Sequence, residues 1–209
     1  MRGFVASVIE ALRPRYSELT TYLTALTCVL LAFTYPELGP FLGHILSGAG
    51  SEELDVALAA IILVGIAAVG FVLSILHVST KRKKATWERT CMGVFAAGAN
   101  GLAGILAGIE MLSSRSTALT FFPLWNIAVG VSLLYQIGLD RVEVTDEDAG
   151  PLQVLGASIV LLIVFAICAL VWRLSWALTF SICMFYSSIF VLSVSQVTRL
   201  LRSRGILLQ

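Results

Sequence analysis

Charge is what this chain has least of. Only 13% of its 209 residues are Asp, Glu, Lys or Arg, against about 25% in a soluble domain. Apolar residues make up 58% and the mean hydropathy is +0.92, an excess that a water-facing surface does not accommodate. The few cations do not gather on one water-facing domain, so no nucleic-acid partner is expected. Cysteine is scarce too: Cys28, Cys91, Cys168 and Cys183 show no paired spacing, which argues against a disulfide framework or a thiolate metal site. The two histidines, His44 and His77, fall on opposite membrane faces in the topology below and so cannot share a metal or bracket a haem. No GxSxG, P-loop or HExxH motif occurs, so the common hydrolase, nucleotide and zinc-protease chemistries lack their residues. The stretch from Phe4 to Leu12 is short, broken by Glu10 and without a small-residue cleavage site, which argues against a signal peptide.

What is present is a series of apolar runs of 18 residues or more, enough to cross about 30 Å of hydrocarbon as helix. The pattern predicts an all-α fold: a polytopic integral membrane helical bundle. Its six transmembrane helices fall at about 17–35, 56–78, 90–112, 117–138, 151–171 and 174–197. Residues 1–16 place Phe4, Val5, Val8, Ile9 and Leu12 at helical spacing, with Arg2 and Arg13 off that stripe, as in an amphipathic interfacial segment. Residues 198–209 form a basic tail. The stretch 36–50 reads as interfacial rather than re-entrant, because re-entrant backbone needs protein or water around it. Pro123 lies within two turns of the start of the fourth span, where a kink is expected. Residues 152–197 as one helix would be roughly 69 Å long, so a hairpin turn at Arg173 is forced although no glycine or proline marks it.

Twelve of the fourteen Lys and Arg residues fall on one side of this topology; only Arg115 and Arg173 fall on the other. The positive-inside rule then places both termini in the cytoplasm, with the cell membrane as the expected location. Tyr35, Phe121, Phe122, Trp172 and Trp176 line up at the outer boundary as an aromatic belt. Lys81, Arg82, Lys83 and Lys84 are expected to rest on anionic headgroups of the inner leaflet, the bilayer being the chief partner. A second copy or a subunit of a membrane complex is the protein partner left open.

The third span, Thr90–Leu112, is unusually short of bulky side chains. Gly93, Ala97 and Gly101 repeat every four residues, as do Asn100, Gly104 and Gly108. Two bare faces let neighbouring backbones approach closely, so this helix is expected at the centre with partners on both sides. Asn100 and Asn126 are both placed near mid-membrane on adjacent helices, with Thr27, Tyr186, Ser187 and Ser188 at similar depth. Interhelical bonding that fixes register is the plainer role for such groups; a polar lining for a solute path is the functional one. No ionisable residue reaches the midplane, which disfavours a carboxylate-based proton pump. Glu110, near the outer end of its span, is expected to pair with Arg115. Asp146-Glu147-Asp148 has no second acidic motif to complete a metal clamp, and no cofactor or metal is expected.

The leading reading is a channel-like or transport-related bundle for a small neutral or weakly polar solute, with any path near Asn100, Asn126, Ser187, Ser188 and Glu110. The alternative is a non-catalytic membrane subunit that anchors or assembles a larger complex. An integral membrane enzyme acting on lipid has least support.

Overall fold

In the computed structural model the described residues are 18–35, 86–114, 119–138 and 151–204. Several expectations lie outside them: the 1–16 segment, the 36–50 stretch, the 56–78 span, the basic cluster Lys81 to Lys84, Arg115, the acidic loop 140–148 and residues 205–209. Within them the chain is helix and turn, with no strand. The helices are α1 (Glu18–Thr34), α2 (Thr86–Ser114), α3 (Phe121–Gly138), α4 (Pro151–Ala166) and α5 (Trp176–Ser203).

Four stretches are long and apolar enough to cross a membrane: Gly93–Leu112, Phe121–Gly138, Leu152–Val171 and Trp176–Val194. At 17 residues, α1 would extend roughly 26 Å, the short end of what spans a bilayer. Polarity runs opposite to that of a water-soluble bundle. The most apolar stretch, Leu152–Val171, is only 22% buried, whereas Trp176–Val194 is 61% buried. Leu155, Ile159, Leu162, Ile163 and Leu170 of the first stretch face outward, while Thr20, Thr24, Thr27, Asn100, Asn126 and Ser181 are buried. Such a surface is stable against lipid and exposes a large apolar patch in water. The chain therefore has the architecture of an integral membrane protein.

Small residues on α2 do not by themselves tell which described helix has most neighbours. Among the described helices, α5 packs against all four others, whereas α2 packs against α1, α3 and α5 but not α4. The bare faces of α2 do serve two neighbours. Ala99 and Ala103 join the main apolar core with Leu23, Leu161, Phe180 and Met184, while Ala96 and Ala97 pack on Val129 and Leu133 of α3. A β-carbon added at Gly104 would lie 2.6 Å from Ile127 Cγ1 and 2.7 Å from the Pro123 carbonyl oxygen, closer than real atoms come. One added at Gly130 would lie 2.9 Å from the Ala97 carbonyl oxygen and 3.0 Å from Gly101 N. The α2–α3 contact is thus backbone on backbone, as expected where dispersion rather than water exclusion joins helices. Gly93 is buried, but added β-carbons at Gly98, Gly101 and Gly108 meet nothing within 4 Å. The tight seam among the described residues therefore runs through Ala97, Gly101 backbone and Gly104.

Helix ends explain two further differences. α3 begins at Phe121 rather than 117, so Pro123 sits in the first turn, where its missing N–H has no intrahelical partner to lose. No kink is then required of it. The turn at Arg173 is present: α4 widens into a π-helical turn, Ile167–Val171. Trp172 N donates to the Ile167 carbonyl and Leu174 N to the Cys168 carbonyl. Arg173 adopts φ 49°, the left-handed conformation that helix stops favour and that glycine usually supplies. Ser175 caps α5, its Oγ accepting from Leu178 N at 3.2 Å, and closes the hairpin four residues after Val171.

Candidate functional site

The buried polar side chains of the described residues are all uncharged: threonines, serines, Asn100, Asn126 and Gln136. They concentrate on α1 and α5, with one asparagine each from α2 and α3. Ser181 and Ser188 lie seven residues apart on α5, two helical turns, so they share a face roughly 10 Å apart along the axis. Each receives one asparagine.

Toward the N-terminal end of α5, Asn126 donates through Nδ2 to the Ser181 carbonyl and to Ser181 Oγ, both at 2.8 Å. An amide nitrogen has two hydrogens, so both bonds form fully. Contact with a main-chain carbonyl fixes the amide's orientation, since a flip would set oxygen against oxygen. Asn126 Oδ1 then points away from Ser181; it is buried and has no partner among the described residues. One layer deeper, Asn100 Nδ2 donates to the Ala96 carbonyl of its own helix at 2.9 Å. Ser188 Oγ lies 2.8 Å from the Met184 carbonyl and 3.3 Å from Asn100 Oδ1; its one proton is shared, the nearer oxygen taking more of it. The asparagines are thus one layer apart and each bonds to α5. The two therefore meet α5 at different levels rather than at the shared depth expected from the sequence.

The hydroxyls follow a rule. Thr24, Thr27, Ser187 and Ser188 each donate to the carbonyl four residues back, at 2.8 Å, the usual local solution for Ser and Thr within helices. Their protons are committed locally while oxygen lone pairs stay available. Thr20 Oγ1, Thr21 Oγ1 and Trp125 Nε1 are buried without a partner. Ser187 therefore bonds within α5 rather than to either asparagine, and Tyr186 is partly exposed, packing its ring edge-on against Phe185.

Glu110 stands apart from both layers. It is half-buried near the C-terminal end of α2 and accepts from Ser175 Oγ, the residue that caps α5. Tyr35 approaches the same turn from α1, donating to the Leu174 carbonyl at 2.7 Å with Thr179 Oγ1 also at 2.7 Å. The turn between α4 and α5 is thus held from two sides. Among the described residues no three His, Cys, Asp or Glu side chains form a group that could hold a metal ion, and the four cysteines are free thiols.

Ser181, Ser175 and Gly130 carry contacts that the sequence reading does not single out. Ser181 and Ser188 share a two-turn spacing that is visible in the sequence, and Ser175 precedes an apolar run as caps do. Gly130 carries no such mark. Compared with protein-family models, curated proteins and solved structures, the chain matches none.

Proposed function

We propose that the bundle is a channel-like or transport-related membrane protein that passes a small neutral or weakly polar solute. The observation that carries this reading is the placement of uncharged polar groups from α1, α2, α3 and α5 inside a bundle whose outer face is apolar. Such an interior exchanges hydrogen bonds with a neutral solute and offers an ion no compensating charge. In this reading the path runs past Asn126 and then Asn100 and Ser188, with Glu110 at its outer mouth. The basic ends face the cytoplasm at the cell membrane, and Lys81 to Lys84 rest on anionic headgroups.

The test is solute flux into proteoliposomes after an osmotic step, with glycerol as probe. Entry faster than into protein-free vesicles is expected; equal rates remove the transport reading. Single cysteines at 100, 126 and 188, in a chain whose four native cysteines are replaced by alanine, give a second check. They should react with water-soluble thiol reagents more slowly than a loop cysteine but faster than one at Ile163 on the outer face.

A second reading, a non-catalytic subunit of a larger membrane complex, draws on the glycines of α2 that meet no neighbour among the described residues, Gly98 and Gly108. Small residues of this kind let a helix from another chain approach closely. It predicts a stoichiometric partner after purification in mild detergent, and a lone monodisperse species speaks against it.

A further inference from the structure

The side-chain carbonyl of Asn126 stands out within the bundle. Its residue is fully enclosed, its amide nitrogen is fixed by two 2.8 Å bonds to Ser181, and its oxygen has no partner among the described residues. Rotation does not relieve it, because the nitrogen is held against a main-chain carbonyl. A carbonyl oxygen can only accept, so what satisfies it must bring a proton. No charged side chain is among the buried residues described, so no local charge balances an ion there.

We infer that Asn126 Oδ1 is a binding station for a small neutral hydrogen-bond donor, a hydroxyl or amide N–H, held between α3 and α5 one layer outside Asn100. The donor is either water or the carried solute. As to the solute, the inference rests on the transport reading; as to the station itself, it does not. Asn126 acts as a clamp through its nitrogen and as a receptor through its oxygen. The transported class then consists of molecules with at least one O–H or N–H, and analogues stripped of such groups pass poorly.

The chain contains only two asparagines, Asn100 and Asn126, so asparagine carrying ¹³C in its side-chain carbonyl reports both layers and nothing else. Isotope-edited infrared spectra of the full chain in lipid nanodiscs, with Asn100→Ser to assign the bands, read the Asn126 carbonyl directly. A stretch at the frequency of a hydrogen-bonded amide is expected. A stretch where an amide carbonyl absorbs in dry hydrocarbon overturns the station. Glycerol and its tri-O-methyl ether then separate the sources. A band moved by glycerol and not by the ether assigns a solute hydroxyl; a hydrogen-bonded band indifferent to both assigns water. In proteoliposomes, Asn126→Leu should slow glycerol entry by about tenfold, the factor set by one lost hydrogen bond. Asn126→Gln, which keeps both a donor nitrogen and an acceptor oxygen, should retain more of the rate and guards against a fold that Leu disrupts. Equal glycerol entry with and without protein removes the transport reading and leaves the station to be decided by the carbonyl band alone.

Discussion

The two asparagine layers look alike in sequence and differ in what they leave over. At Asn126 both amide hydrogens cross to α5, and the oxygen is left without a partner among the described residues. At Asn100 the nitrogen bonds back to its own helix, and the only link to α5 is a 3.3 Å contact from a hydroxyl already engaged. The Asn126 layer therefore holds helices together and still has an acceptor to offer, while the Asn100 layer is locally satisfied and holds little. Burial alone would not separate them, since both are almost fully enclosed. What separates them is where each proton goes.

The largest effect should come from forcing α3 off α2. In Gly104→Ala the new methyl meets Ile127 and the Pro123 carbonyl oxygen, and overpacking of this kind costs about 1–3 kcal/mol. Detergent-induced unfolding should show that loss; unchanged stability would mean that α3 is not seated on Gly104. Next comes the comparison itself. Asn126→Ala removes two interhelical bonds worth about 0.6 kcal/mol each on average in membrane bundles, so it should destabilise by roughly 1–2 kcal/mol. Asn100→Ala should cost less, about 0.5 kcal/mol, because its main bond is local. Equal costs, or the reverse order, would erase the distinction between the layers.

A comparable change tests the turn that sets both serines. Arg173 holds φ 49°, which costs a residue with a β-carbon about 1 kcal/mol. Arg173→Gly should therefore raise stability by up to that amount, and Arg173→Val should lower it, without altering the difference between the two asparagine variants. The smallest effect is the control. Gly108→Ala meets nothing within 4 Å and should gain about 0.5–1 kcal/mol from helix preference alone; a loss there would reveal a neighbour packed on that face.

The apolar runs were enough to read the helices, because in lipid a long apolar segment has almost no other way to satisfy its backbone. The Arg173 turn was readable for a similar reason: one helix through 152–197 would be far too long for a bilayer. The central role of α5 was not readable. It depends on which helix meets which, and the sequence marks small residues on α2 more plainly than neighbours on α5. Asn100 and Asn126 could be picked out as polar groups in apolar runs, but not paired with Ser188 and Ser181, because pairing requires relative register. The difference in level between the two asparagines was hidden for the same reason. Gly130 lies in an unbroken apolar run, where nothing distinguishes a glycine under a neighbouring backbone from one facing lipid.

Everything above depends on the outer face lying in hydrocarbon while the uncharged polar groups lie inside. Nitroxides placed singly at Ile109, Val131 and Ile163, three exposed positions on α2, α3 and α4, test it in lipid vesicles through collisions with oxygen and with a water-soluble nickel chelate. Strong relaxation by oxygen and little by nickel is expected at all three. Nickel relaxation matching that of a loop position would place those faces in water and contradict the inverted arrangement.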